Sequence, residues 1–191
     1  MEPQLVLASG SPRRARILRD LGIPFRVVAS SLDEVLRPGE DGRSAVERLA
    51  RAKAAAVARG ESLPVLAADT EVICDGRVLG KPESPSGALE MLRALSGRTH
   101  EVVTGVCLVA AGVARTGVET TAVTFVEMTE AERAWYVATG EPMDKAGGYH
   151  VDGCGALFIE SISGSPSNVA GLPVRLVLRL AREAGLALGP P

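Results

Sequence analysis

The sequence predicts a mixed α/β fold, in which a sheet is largely covered by helices on both faces. Two short segments, 5–8 and 64–68, are apolar without interruption, which is typical of strands that are buried on both sides. Segments with helical periodicity or helix-capping residues lie between and after them. With two longer β segments at about 101–110 and 113–127, the 191 residues are enough to bury a substantial core.

The first helix is predicted to run from Pro12 to about Leu21. Ser11 is a good N-cap and Pro12 is a good first helical residue. Arg13 and Arg14 then lie in the first turn, where the helix dipole disfavours each cation by roughly 0.3–1 kcal/mol. Two solvated surface arginines are one explanation. An anion bound at the helix N-terminus is the other, because it would attract both guanidiniums.

A second helix is predicted over residues 44–59, where Val46, Leu49 and Ala50 lie on one apolar stripe. Lys53 lies on the same stripe. Its stem can follow the edge of the core with the ammonium in water, or the ammonium can point inward toward a ligand. The chain has 18 arginines and only three lysines, and the other two are Lys81 and Lys145. Each lysine is therefore either ordinary surface charge or a place that requires a compact ammonium.

The apolar strand at 64–68 is predicted to end at Asp69-Thr70. Ligands of open α/β sheets bind at the carboxyl ends of the strands, so Asp69 is a candidate functional residue. The Asp75-Gly76 pair that follows, between two short β segments, predicts a two-residue hairpin.

The rest of the chain continues the alternation of helices and strands. The predicted elements are a helix at about 85–95, the paired strands joined at Ala111-Gly112, a helix from the capping-box residue Thr129 to about Gly140, a strand at 156–162 and a last helix ending near Ala184.

Composition excludes several classes of function. A net charge of −2 and an aromatic content of 3% argue against a nucleic-acid partner, and no apolar run reaches the length of a membrane span. Three separated cysteines without a CxxC motif favour reduced thiols in the cytoplasm. Gly153-Cys154-Gly155 lacks the third glycine and the following helix of a dinucleotide-binding motif, and neither a Walker A motif nor a GxSxG elbow is present.

What remains is a dispersed set of cations and carboxylates, which suits a polyphosphate ester with a divalent metal ion. Carboxylate oxygens bind hard cations, and Arg and Lys bind phosphates. The cations are Arg13, Arg14, Lys53, Lys81 and Lys145, and the carboxylates are Glu34, Asp69 and Asp144.

Five segments resemble the Maf family of nucleoside triphosphate pyrophosphatases, in order and at compatible spacing. They are LASGSPRR, ADTEVICDGRVLGKP, SGRTHEVVTGV, EPMDKAGGY and NVAGLPV. The resemblance covers residues 1–191 as a single domain, and it implies a fold akin to the inosine triphosphate pyrophosphatases, with two lobes around a cleft. It also implies metal-dependent cleavage between the α- and β-phosphates and a homodimer. Mg²⁺, Mn²⁺ and Co²⁺ are all compatible with oxygen ligands, and the cysteines favour a cytoplasmic location.

The resemblance also assigns roles to individual residues. Asp69 matches the family's catalytic carboxylate, which is proposed to activate the attacking water. The residues that match substrate-binding positions are Ser9, Arg13, Arg14, Lys53 and Lys81, with Lys145 in the DKAG motif. The acidic residues expected near the metal are Glu34, Asp69 and Asp144.

Three positions track nucleotide preference in the family. Arg13 and Thr70 match the subgroup that acts on dTTP and UTP, whereas Asp152 stands where that subgroup has Gln. An ionised Asp only accepts hydrogen bonds, so it suits the N–H donors of N7-methyl-GTP, the substrate of the other subgroup, better than a Gln would. The sequence favours dTTP and UTP. N7-methyl-GTP, a broader range that includes CTP or modified nucleotides, and a non-catalytic regulator of septum formation remain alternatives.

Overall fold

A computed structural model describes residues 2–32 and 34–189. These residues form a seven-stranded mixed sheet in the order β2-β1-β3-β5-β6-β7, and β4 pairs with β3. The strands are Leu5–Leu7 (β1), Phe25–Val27 (β2), Val65–Cys74 (β3), Arg77–Leu79 (β4), Thr99–Ala110 (β5), Val113–Phe125 (β6) and Ile159–Ser163 (β7). β1 is parallel to β2 and β3, whereas the β3–β4 and β6–β7 pairs are antiparallel. The prediction of a mixed α/β fold is confirmed.

Six α-helices lie between and after these strands in the described residues. They are Pro12–Asp20 (α1), Gly42–Ala58 (α2), Pro85–Leu95 (α3), Glu130–Ala138 (α4), Pro166–Val169 (α5) and Val174–Glu183 (α6). Short 3-10 helices cover Glu141–Asp144, Ala146–Gly148 and Cys154–Phe158. Among the helices of 2–32 and 34–189, none is both long enough and apolar enough to cross a bilayer.

The chain divides into two compact units. The first comprises Met1–Asp69, Thr104–Glu119 and Gly171–Pro191, and the second comprises Thr70–Val103 and Thr120–Ala170. Strands β3, β5 and β6 contribute residues to both units. The prediction that residues 1–191 form one domain stays a prediction.

In the first unit, helices cover both faces of the sheet, as predicted. Successive side chains of a strand point to opposite faces. Leu5 and Leu7 of β1 pack in an apolar cluster with residues of α1 and α6, and Val6 and Ala8 pack in another with residues of α2. The uninterrupted apolar run of β1 follows from this burial on both sides.

The second unit has its own apolar cluster, built around Leu92, Phe125, Tyr136 and Phe158. The predicted hairpin is confirmed. Residues Asp75 and Gly76 both have positive φ, at 49° and 74°, and β3 and β4 pair on either side of them.

Two predicted boundaries are wrong. β3 does not end at Asp69 but continues to Cys74, so Asp69 lies in the middle of a strand rather than at its carboxyl end. The apolar run ends there, but the strand does not, because its last residues form the ladder with β4. The strand predicted at 156–162 begins as a 3-10 helix and becomes β7 only at Ile159.

Candidate active site

Lys53 is the centre of the candidate site in the first unit. It lies on the buried stripe of α2 and is only 4% exposed. Its Nζ lies 2.5 Å from Asp69 Oδ1 and 2.6 Å from Glu34 Oε1. Of the two readings of this lysine, the structure therefore supports the inward-pointing one, with the ammonium on two carboxylates.

Asp69 is brought to Lys53 by the continuous strand β3. Asp69 is 3% exposed, and the four residues before it on β3 are all buried and apolar. A buried carboxylate requires a counter-charge, and the ammonium of Lys53 supplies it. Glu34 reaches the same ammonium from an exposed segment outside the helices and strands.

Ser9 and Arg14 are held together at the start of α1. The Arg14 guanidinium donates from Nη1 to Ser9 Oγ at 3.0 Å and from Nε to the carbonyl of Gly171 at 2.7 Å. The backbone N–H of Ser11 also donates to Ser9 Oγ, at 3.3 Å. With two donors already on this oxygen, the hydroxyl proton of Ser9 is the group left for a ligand acceptor.

The two arginines of the first turn differ in their surroundings. Arg14 is 9% exposed, and burial lowers the pKa of its guanidinium, whereas the negative charges of Asp69 and Glu34 oppose this shift. Arg13 is half-buried. Contacts within the protein thus explain part of the placement of Arg14. Its guanidinium joins the first turn of α1 to Gly171, the first residue of the last segment of the unit.

A second ion pair, which the sequence analysis missed, fixes the segment that follows Glu34. Arg48 of α2 donates from Nε and Nη2 to the two carboxylate oxygens of Glu40, each at 2.6 Å, and Nη2 also donates to the carbonyl of Val35 at 3.1 Å. The Arg48 hydrogen bonds lower the pKa of Glu40 to about 2. No local pattern reveals this pair, because its partners are eight residues apart in different elements.

The remaining predicted residues belong to the second unit. Lys145 is buried, and its Nζ donates to the carbonyl of Glu141 at 2.7 Å and pairs with Asp144. Lys81 is exposed after β4, and Thr70 is half-buried on β3. The specificity candidate Asp152 is exposed in the turn before the 3-10 helix at 154–158.

The carboxylate oxygens around Lys53 are of the chemical type that binds hard divalent cations. Within residues 2–32 and 34–189, no three His, Cys, Asp or Glu side chains are grouped closely enough to hold a metal ion. Glu34 and Asp69 nevertheless direct one oxygen each to the same cation, the Lys53 ammonium. One or two carboxylates together with substrate phosphates and water are the usual ligands of Mg²⁺.

Comparison with known proteins gives one consistent result. The sequence model of the family described as "Maf-like protein" matches residues 4–184. A protein named dTTP/UTP pyrophosphatase from Anaeromyxobacter dehalogenans is 50% identical over 98% of this chain and 97% of its own. Proteins of the same name from Moorella thermoacetica and Deinococcus radiodurans are 52% and 45% identical, over at least 95% of each chain.

Among solved structures, the chain is similar to the Ham1 protein of Staphylococcus aureus. The TM-score is 0.51 at 17% sequence identity, over 94% of this chain and 96% of that one. At this identity the likeness bears on the fold alone, and it agrees with the predicted class.

Proposed function

Since the chain belongs to the Maf family, we propose that it is a nucleoside triphosphate pyrophosphatase that acts on dTTP and UTP. Water would cleave the anhydride between the α- and β-phosphates, which gives the nucleoside monophosphate and pyrophosphate. The observation that carries the proposal is the buried Asp69–Lys53 pair with Glu34 on the same ammonium, in a chain half identical to proteins named for this activity.

In the proposed mechanism, Asp69 accepts a proton from the attacking water. Lys53, with Arg13 and Arg14, would stabilise the negative charge of the phosphates. The Ser9 hydroxyl would donate a hydrogen bond to a phosphate oxygen. Phosphoryl transfer needs little covalent help, so positioned cations and one base can supply most of the stabilisation. Lys81 and Lys145 of the second unit are proposed as further substrate-binding residues.

Glu34, Asp69 and Asp144 are the residues that would hold a divalent cation, which we propose to be Mg²⁺, Mn²⁺ or Co²⁺. Such a cation would neutralise phosphate charge and polarise the anhydride. Glu34 and Asp69 share the Lys53 ammonium, so binding of the cation and its nucleotide would be accompanied by a rearrangement of these contacts. Asp144 contacts Lys145 in the second unit.

Arg13, Thr70 and Asp152 are proposed to determine nucleotide preference. Uracil and thymine carry an imide N3–H, which can donate to the carboxylate of Asp152. A base carbonyl would then lack the donor that a Gln at this position would offer. We therefore expect Asp152→Gln to raise the efficiency toward dTTP and UTP rather than abolish it.

We propose that the protein is a cytoplasmic homodimer without a nucleic-acid or membrane partner. Its macromolecular contacts would then be limited to a second copy of the chain. Size-exclusion chromatography with light scattering would measure the mass directly, and a monomer would contradict the dimer.

The test is pyrophosphate release by the purified protein with Mg²⁺ or Mn²⁺ across dTTP, UTP, CTP, GTP and N7-methyl-GTP. Asp69→Asn should lower kcat by about 10²–10⁴-fold, which is the usual contribution of a general base. The matched control is Asp20→Asn, since Asp20 pairs with Arg16 on the exposed surface of α1. It should leave the activity unchanged.

Each alternative predicts a different result in this assay. Preference for N7-methyl-GTP would support the proposed reaction and contradict dTTP and UTP as the substrates. If none of the nucleotides is hydrolysed, the proposed enzymatic function is contradicted and the non-catalytic regulator of septum formation is favoured.

A further inference from the structure

The carboxylate of Glu141, which lies outside the candidate site, accepts three hydrogen bonds. Oε1 accepts from the Tyr136 hydroxyl at 2.7 Å and from the N–H of Gly155 at 3.0 Å, and Oε2 accepts from the N–H of Cys154 at 3.0 Å. Tyr136 is fully buried on α4. The carboxylate therefore ties α4 to the loop at 149–155.

The Tyr136 hydroxyl extends the same network to the other end of that loop. It donates to Glu141 and accepts from the N–H of His150 at 3.0 Å. Burial and the bond to Glu141 raise the pKa of the Tyr136 hydroxyl, so it stays a donor at neutral pH. His150 and Gly155 are thus fixed on either side of Asp152, the specificity candidate.

The two glycines of the loop are required by this arrangement. A Cβ on Gly153 would overlap the Glu141 carboxylate, and a Cβ on Gly155 would lie 2.7 Å from both the Tyr136 hydroxyl and the His150 carbonyl. The loop backbone therefore lies too close to the Glu141 carboxylate at Gly153, and to the Tyr136 hydroxyl at Gly155, for a Cβ to fit without a shift. This explains the Gly153-Cys154-Gly155 pattern without any dinucleotide.

The backbone of Glu141 contacts a second residue predicted to bind substrate, Lys145. Its carbonyl accepts from Lys145 Nζ at 2.7 Å, and Lys145 also pairs with Asp144. One residue thus contacts the lysine of the DKAG motif with its main chain and the loop of Asp152 with its side chain.

We propose that Glu141 is a positioning residue for the nucleotide, which sets the loop that carries Asp152 and the place of the Lys145 ammonium. The inference rests on the proposed function and deepens it, since it names a determinant of substrate selectivity that does not itself contact substrate. A carboxylate is needed because every partner of its two oxygens is a donor, and a Gln would turn an NH₂ group against at least one of them.

Burial would raise the pKa of Glu141, but the hydrogen bonds from Tyr136 and from the N–H groups of Gly155 and Cys154 outweigh it and keep the pKa low. The carboxylate is therefore ionised at neutral pH, so both of its oxygens can accept from the groups that donate to them.

The experiment compares Glu141→Gln with Glu132→Gln in the wild-type and Asp152→Ala backgrounds. Glu132 belongs to the capping box at the other end of α4 and has no contact with the loop among its hydrogen bonds, so its substitution destabilises the same helix without moving Asp152. The measurements are KM and kcat for UTP and N7-methyl-GTP, Tm, and the calorimetric Kd of α,β-methylene-UTP, an analogue that cannot be cleaved between these phosphates.

We expect Glu141→Gln to change the UTP to N7-methyl-GTP selectivity ratio roughly three- to tenfold, the effect of one hydrogen bond lost, mainly through KM. In the Asp152→Ala background that change should disappear, and Glu132→Gln should lower Tm with the ratio unchanged. A Glu141→Gln variant that lowers Tm but leaves both the ratio and the Kd unchanged would overturn the inference. An equal change in the Asp152→Ala background would overturn it too.

The proposed function is judged separately, by the wild type. A wild-type protein that binds the analogue and hydrolyses nothing contradicts the pyrophosphatase alone, and the Kd values still decide on Glu141. If Glu141→Gln does not fold, Tyr136→Phe removes one donor to Glu141 and the acceptor of the His150 N–H, and the same shift in selectivity is required of it.

Discussion

Replacing Lys53 by Met isolates the charge that holds the candidate site together. Met keeps an unbranched side chain of similar length, so the packing of the stem is largely preserved while the ammonium is lost. The side chains of Lys53 and Asp69 are each only 5% exposed, whereas that of Glu34 is 46% exposed. Without the ammonium, Glu34 can turn to water, but Asp69 is left buried without the cation that its carboxylate contacts directly.

The expected cost follows from this asymmetry. Removing one partner of a buried ion pair costs about 3–5 kcal/mol of unfolding free energy. Asp69→Asn should cost less, about 1.5–3 kcal/mol for a charged hydrogen bond, because Lys53 keeps Glu34. The double variant removes both buried charges and should be more stable than Lys53→Met alone.

Urea titration followed by circular dichroism and by Trp135 fluorescence measures these differences. The control is Arg93→Met, which breaks an exposed pair with Glu130 and should leave the unfolding free energy nearly unchanged. If Lys53→Met costs no more than this control, or if the double variant is less stable than Lys53→Met, Asp69 does not depend on Lys53 and the reasoning fails.

Two further predictions concern the second unit. Burial lowers the pKa of His100 from 6.5 to about 4, so below pH 6.5 the unfolded chain binds a proton that the folded chain excludes. The unfolding free energy should therefore fall by about 2 kcal/mol more in the wild type than in His100→Gln between pH 7 and pH 4.5, in urea titrations at the two values. Thr129→Ala removes the N-cap of α4, where the side chain accepts from the N–H of Glu132, and should cost about 0.5–2 kcal/mol and lower Tm by a few degrees.

Both predictions have clear contrary outcomes. Equal losses of stability on acidification in the wild type and His100→Gln would mean that His100 is protonated in the folded state. An unchanged Tm in Thr129→Ala would mean that the capping box does not stabilise α4. Thr99→Ala, at an exposed hydroxyl pair with Thr124, is the control for the loss of a threonine hydroxyl.

Elements with local signals were predicted well from the sequence. The Asp75-Gly76 turn, the capping box at Thr129 and the bounds of Pro85–Leu95 all depend on residues within a few positions of one another. Their geometry is fixed by the backbone and by the nearest side chains, so the sequence contains nearly all that is needed.

The position of Asp69 was predicted less well, because apolar character reports burial and not strand length. Polar residues at 69–71 separate two apolar stretches, 65–68 and 72–74, each of which predicts a strand by itself. The structure joins both stretches in the single strand β3, in which Asp69 is a buried polar residue.

Within the candidate site, the stripe of α2 was enough to single out Lys53, but not its partners. Asp69 and Glu34 are 16 and 19 residues away along the chain, and only the packing of α2 on the sheet brings them to one ammonium. Glu141 was missed altogether. Its trace in the sequence is the Gly153-Cys154-Gly155 pattern, in which Gly153 leaves room for the Glu141 carboxylate and Gly155 leaves room for the Tyr136 hydroxyl.

The scarcity and burial of lysine give the protein a distinctive chemical reactivity. Of its three side-chain amines, those of Lys53 and Lys145 are buried and engaged by oxygens, and only that of Lys81 is exposed. Acylating reagents that attack side-chain amines should therefore modify Lys81 and spare the other two while the fold is intact. Acylation of Lys53 or Lys145 then reports the opening of one particular unit, since each unit contains one of these protected amines.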